Sequence, residues 1–344
     1  MASNIERGKL IRQQILRDVK HHPKDINKHI AKIFSITPQA VNNHIRKLES
    51  DDLLSSTGVG KGKVYSLGNV RGHREIFELT PDFTEDKVWR DNFAFIIDDL
   101  KENVADICYY GFTEIVNNVI DHSEGTTVFI SVQRSNDNVT IVIIDNGEGI
   151  FSRIKRLCNL ADERQSILEL SKGKLTTDPD NHSGEGVFFT SRVFDIFEIE
   201  SKELQFSHND SSDFDYLSES KFMSDSEGTF VIMIISRNSD REIQDVFDQY
   251  TAEPEDFQFN KTVIPVKLAA YENEKLVSRS QAKRVLARVD KFSSIIFDFE
   301  GVPSIGQAFA DEIFRVYANK NSDLHLIPTN MNKAVEKMIK RATG

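Results

Sequence analysis

The chain has 344 residues, 39% hydrophobic and 28% charged, a balance too apolar for general disorder and a length that implies two or three domains. No apolar run approaches the roughly 18 residues that span a bilayer, and the opening MASNIERGKL lacks a secretion-type stretch, so a cytoplasmic protein without membrane contact is expected. Cys108 and Cys158 stand far apart with no His and Cys cluster, which argues against a disulfide framework or a zinc site and leaves two small buried apolar side chains.

Charge divides the chain unevenly. Residues 1–70 hold 12 Lys and Arg against 6 Asp and Glu, so the head carries +6 and the other 274 residues carry −17 of the net −11. Only the head therefore suits a polyanion. Its spacing predicts three short helices and a hairpin, with Leu10, Ile15, Leu16 and Val19 on one apolar stripe. Asp25 can cap a second helix bearing Ile26, Ile30 and Ile33, and Thr37-Pro38 starts a third. That third helix sets Val41, Ile45 and Leu48 on one side and Gln39, Asn42, Asn43 and Arg46 on the other, the kind of side that reads base edges. SSTGVGKGKVYSL then reads as a hairpin suited to a phosphate backbone. The segment resembles a winged helix-turn-helix domain over 1–70, which implies the third helix as recognition helix and Lys61 and Lys63 on the wing. The same fold also serves protein contacts, so DNA binding and pure docking both stay open.

The middle segment, 75–240, alternates helical and strand patterns. Val128 to Val132 and Val139 to Ile144 are expected as neighbouring antiparallel strands joined through Asn136-Asp137-Asn138. Ile196 to Ile199 and Thr229 to Ile235 read as further strands, with a surface loop expected from Ser207 to Asp225. His73 reads as a surface histidine near a domain boundary, and the acidic stretch Asp240 to Asp256 as a connector. The last segment, 260–344, predicts a strand at Thr262 to Leu268, a helix from Ser280 to Val289, a strand at Ser294 to Phe299 and a helix from Gln307 to Tyr317, an alternation that favours a small α/β domain.

Chemistry concentrates in three places of the middle segment. On FTEIVNNVIDH, Glu114, Asn118 and His122 recur every four residues and share a helix face, while Phe112, Ile115, Val116 and Val119 turn toward a sheet. A carboxylate there can polarise a nucleophile, and an amide oxygen is a hard ligand suited to Mg²⁺ held also by phosphate oxygens. Second, VTIVIID runs into NGEGI, which puts Asp145 at a strand end with Gly147 and Gly149 after it. The carboxylate can accept from an exocyclic amine such as adenine's, and the glycines admit the backbone to the base. Third, Gly184 and Gly186 precede a helical pattern, a ready phosphate site. About thirty-five charge-rich residues between the second and third elements, including KGKLTTDPDNH, read as a lid.

In this order the three elements resemble the GHKL ATPases, the superfamily of gyrase, heat-shock chaperone, histidine kinase and mismatch-repair ATP-binding domains. The resemblance implies a Bergerat-type α/β sandwich that takes ATP and Mg²⁺, with Glu114 as general base, Asn118 as Mg²⁺ ligand, Asp145 as adenine acceptor, glycine boxes at Gly147, Gly149, Gly184 and Gly186, and Thr229 beside the base. EIVNNVIDHSEG looks closest to the anti-sigma-factor serine kinases. In the tail, Asp298-Phe299-Glu300-Gly301-Val302 and GQAFADEIF resemble the STAS domains of anti-sigma factor antagonists, which implies a protein partner. Gly306 and Gln307 stand where an aspartate and the acceptor serine belong, and the nearest hydroxyl, Ser304, precedes the helix, so a docking role is expected. The expected whole is a multi-domain α/β regulator, either an ATP-driven switch or a serine/threonine kinase acting on a separate partner; a homodimer is implied by family analogy alone.

Overall fold

The computed structural model describes residues 4–175, 184–210, 216–219, 227–251, 259–270 and 274–344. At the head, α1 (Asn4–Asp18), α2 (Ile26–Phe34) and α3 (Pro38–Ser50) precede an antiparallel hairpin of β1 (Leu54–Thr57) and β2 (Val64–Leu67). Thr37 caps α3 by accepting the Ala40 N–H, and Pro38 occupies the first turn, where no N–H is needed. Ile15, Val19, Ile26, Ile30, Val41, Ile45 and Leu48 close a core of their own together with Leu54 and Tyr65.

Three expectations for the head are corrected. Leu10 is 52% exposed and Ile11 takes its place, because one helical step rotates a side chain by about 100°. Ile33 also faces outward. Asp25 precedes α2 without capping it, since its backbone is not extended; its carboxylate meets His22 Nδ1 at 3.2 Å instead.

The middle is built on a seven-stranded sheet. Its elements are β3 (Arg71–Glu78), α4 (Glu85–Val88), α5 (Glu102–His122), β4 (Thr127–Arg134), β5 (Asn138–Asp145), α6 (Ile150–Cys158), α7 (Arg164–Lys172), α8 (Gly186–Val193), β6 (Ile196–Ser201), β7 (Leu204–Asn209), β8 (Tyr216–Glu219), β9 (Phe230–Ser236) and α9 (Ile243–Gln249). The strand order is β3-β4-β5-β9-β6-β7-β8, antiparallel throughout. Alternate residues of β4, β5 and β9 are buried, and α5 lays Ile107, Phe112, Ile115, Val116 and Val119 into the same core.

Polar sequence concealed several of these elements. Ser207, His208 and Asn209 belong to β7 and pair with Glu198, Phe197 and Ile196, so the expected loop begins inside the sheet; residues 211–215 and 220–225 of that stretch lie outside the described residues. The expected connector holds α9, whose Val246 is buried. His73 is buried on β3, with Nε2 2.8 Å from Glu75. α6 and α7 fill much of the expected lid, and 176–182 of KGKLTTDPDNH lie outside the described residues.

Tail residues form β10 (Lys261–Pro265), α10 (Arg279–Val285), β11 (Ser294–Asp298), α11 (Gln307–Asp311), α12 (Ala318–Lys320), β12 (His325–Thr329) and α13 (Lys333–Thr343). Its three strands are parallel in the order β10-β11-β12. β10 stops at Pro265, before a short helical turn over Val266–Ala269, so the strand expected to Leu268 is shorter.

One hydrophobic core runs through middle and tail alike. At their junction Lys172, 1% exposed, bonds Glu169 at 2.8 Å and donates to the carbonyls of Arg284, in the last turn of α10, at 3.1 Å and of Ala287, just beyond it, at 2.8 Å. The Thr262 hydroxyl donates to the Lys172 carbonyl at 2.6 Å. Burial pulls the Lys172 pKa down while Glu169 opposes the shift. Lys172→Ala is expected to lower unfolding free energy by about 3–5 kcal/mol, and the Glu169→Leu/Lys172→Met pair by much less. Urea unfolding of both variants checks this; equal losses would show that packing, not the ion pair, holds the junction.

Candidate nucleotide site

A cavity of about 170 Å³ opens between α5, the ends of β5 and β9, α6 and the start of α8. It is lined by Glu114, Asn118, Asp145, Gly149, Gly184, Gly186 and Thr229, residues spread over more than a hundred positions of sequence. Ile115, Val119, Ile154, Ile199 and Val231 supply apolar wall.

The end of β5 is bound tightly to the start of β9. Asp145 N–H donates to the Thr229 carbonyl at 3.0 Å, and Thr229 Oγ1 accepts the Ile150 N–H at 3.1 Å while also bonding the Asp145 carboxylate. Gly147 N–H donates to Asp145 Oδ1 at 2.8 Å. Burial raises the Asp145 pKa, and the bonds from Gly147 and Thr229 partly oppose that rise. The result is a buried acceptor held in one orientation at the inner end of the cavity.

Glycines play two separate parts here. Gly149 (φ 89°) and Gly228 (φ 96°) occupy the left-handed region, and a Cβ on Gly228 would run into the Asp145 carbonyl. Gly147 does not line the cavity; the Ser123 carbonyl fills the place of its missing Cβ, so it closes the turn against the end of α5. Gly186 is different, because a Cβ there would strike only the Glu114 carboxylate. The general-base candidate therefore lies against the first residue of α8.

Asn118 Nδ2 donates to the Glu114 carbonyl at 2.8 Å, which leaves Oδ1 as the side chain's oxygen donor. Among the described residues no group of three His, Cys, Asp or Glu converges to hold a metal. A single amide oxygen nevertheless suits Mg²⁺, which keeps several waters and binds mainly through phosphate. The residues present thus fit a magnesium nucleotide: a buried acceptor for a base, apolar walls, glycine backbone at a helix start and one oxygen donor.

Several contributors were not singled out in sequence. Asn146 Oδ1 accepts from Thr126 N–H at 2.8 Å and Thr127 N–H at 3.0 Å, tying the glycine turn to the chain leaving α5. An Asn inside a DNG turn signals only a turn, so its long-range partner was invisible. Phe188, Arg153 and Leu170 line the cavity because α6, α7 and α8 fold over it, and no local spacing records that.

The other expected site residues lie apart from the cavity. Gln39, Asn43 and Arg46 are exposed on α3, while Asn42 is half-buried and accepts from Asn27 at 2.9 Å. Lys61 falls in the turn Gly60–Gly62. Lys63 bonds Glu49 at 3.0 Å; partial burial works against the Glu49 charge, but bonds from Ser56 and Lys63 outweigh it and hold the carboxyl low. In the tail, Gly306 N–H donates to the Leu276 carbonyl at 2.7 Å, and a Cβ on Gly306 would lie 2.7 Å from Val277 Cα. Gly306 is therefore held against its own chain, while Ser304 and Gln307 on either side stay exposed.

Gly186→Ala is expected to keep the melting temperature within a few degrees while displacing Glu114, whereas Gly228→Ala should unfold the turn at a cost of about 2 kcal/mol or more. Thermal melts of the two variants check this, and equal destabilisation would refute the division of roles.

Residues 104–193 match the family model of histidine kinase-, DNA gyrase B- and HSP90-like ATPases, and residues 281–336 match that of a STAS-like domain of unknown function. No curated protein matches the chain. No helix among the described residues is long and apolar enough to cross a membrane. This multi-domain α/β chain therefore carries a histidine kinase-, gyrase- and HSP90-like ATPase domain together with a STAS-like domain.

Proposed function

We propose that the protein is an ATP-dependent switch in which nucleotide in the cavity sets the stance of the STAS-like tail, and through it the binding of DNA or a protein partner. The observation that carries this reading is the double duty of the elements between cavity and tail. Leu170 and Leu175 line the cavity, while Lys172 between them is clamped by the carbonyls of Arg284 and Ala287. Phe188 also lines the cavity and stacks on Phe259 with centroids 4.9 Å apart, and Phe259 meets Phe292 at 5.2 Å. A shift of α7 or α8 around a ligand has no slack to absorb it before the tail.

Bound MgATP would supply the γ-phosphoryl group and a positive charge beside its oxygens. Asp145 would accept from the exocyclic amine of the base, and Thr229 and Gly147 keep that carboxylate aimed. Asn118 would offer its amide oxygen to the cation. Glu114, lying against the first residue of α8, would take a proton from a water whose oxygen bonds the γ-phosphorus as the bond from that phosphorus to the departing ADP oxygen breaks. Slow hydrolysis suffices for a switch, because the bound state and not the turnover rate carries the signal.

The head joins the same body through Lys20, paired with Asp98, and through the Gly68 carbonyl, which accepts from Nε of Arg71 on β3 at 3.0 Å. On this reading the exposed side of α3 engages duplex DNA. Arg46→Ala is expected to weaken a salt-sensitive duplex complex by about 1–3 kcal/mol. Binding that ignores both salt and Arg46 would leave the head a protein-docking module.

Incubation with MgATP is expected to release phosphate without adding mass to the chain, and Glu114→Ala to slow release by about 100-fold or more while nucleotide still binds. Phosphate appearing on an added partner, and vanishing with Glu114→Ala, would replace the switch by a protein serine/threonine kinase. Failure to bind nucleotide would remove the cavity's role altogether.

A further inference from the structure

Arg153, on the first turn of α6, lines the cavity between Ile150 and Ile154. Among the described residues lining it, Arg153 is the sole guanidinium or ammonium, and the acids Glu114 and Asp145 face the same space. A polyphosphate entering there meets two carboxylates and one permanent cation.

Its two ends are held differently. Nε is buried and has no hydrogen-bond partner among the described residues, whereas Nη1 donates to Glu124 Oε1 at 2.7 Å. The Glu124 side chain is 64% exposed and stands in the left-handed region just beyond α5. Glu124 also accepts from Arg156 Nη2 at 3.4 Å, and Arg156 Nε donates to Glu148 at 2.8 Å. Glu124 thus keeps a second cation when Arg153 leaves it. An exposed ion pair is weak and easily exchanged. A guanidinium in a partly dry cavity binds phosphate oxygens through paired, charge-assisted bonds, which water-screened carboxylates do not match.

We propose that Arg153 is a phosphate-binding residue of the cavity, tethered to Glu124 at the rim until the anion of a nucleotide draws it inward. The proposal rests on the cavity being the nucleotide site. Glu124 acts as a competitor for the same guanidinium, so the two substitutions have opposite signs.

The test is calorimetric titration of the full chain with MgATP, MgADP and adenosine. Arg153→Gln is expected to weaken MgATP and MgADP by about 10- to 100-fold and leave adenosine within about twofold. Arg153→Lys keeps the charge and should recover most of the MgATP affinity, which separates phosphate binding from a folding defect. Glu124→Gln should tighten MgATP. Equal losses for adenosine and MgATP, no loss for either, or weaker MgATP binding by Glu124→Gln would each overturn the proposal. Wild-type protein that binds adenosine but gains nothing from phosphates overturns it while sparing the base site; wild-type protein that binds none of the three removes the nucleotide reading beneath it.

Discussion

The pairing of β5 with β9 at the centre of the seven-stranded sheet is the constraint on which the cavity depends. It sets Asp145 beside Thr229, 84 positions later, and packs the two chain segments so closely that only glycine fits at 228. From that junction Thr229 reaches Ile150 at the start of α6, and Gly147 and Glu148 reach Ser123 at the end of α5. Two helices and two strands are thereby locked around one buried carboxylate. The raised pKa of Asp145 is the electrostatic cost of that arrangement, since a burial that orients an acceptor also disfavours its charge.

Outside this rigid frame, the walls formed by α7 and α8 belong as much to the tail as to the cavity. Lys172, Phe188 and Phe259 are held from both sides, and the hydrophobic core does not divide between the two family matches. A family boundary marks where a sequence pattern ends. A cooperative boundary falls where packing thins, and here packing stays continuous. By contrast, the head closes a separate core and meets the body through polar contacts that include Lys20 with Asp98, a joint that water and salt can loosen.

Strong local periodicity made α3, α5, β4, β5, β9 and β11 legible in the sequence. Where polar residues serve an edge the signal faded: β7 and β8 hid within a stretch read as a loop, and α9 within one read as a connector. β12 left no alternating signal, because HLIPT contains Pro328 and none of its residues is fully buried. Leu10 and Ile33 were assigned inward because adjacent apolar residues compete for one stripe, and packing of neighbouring helices chose Ile11 and rejected Ile33.

The order of Glu114, Asn118, Asp145, Gly184 and Gly186 is written in the chain, because each needs a particular residue type at a helix face, a strand end or a helix start. Which glycine lines the cavity and which merely closes a turn was decided by tertiary contact: the Ser123 carbonyl behind Gly147, the Glu114 carboxylate before Gly186. The same holds for Arg153 and Lys172, whose partners lie 29 positions and more than a hundred positions away. Local sequence specifies conformation within a few residues, whereas burial and charge pairing are properties of surfaces that meet only after the chain has folded.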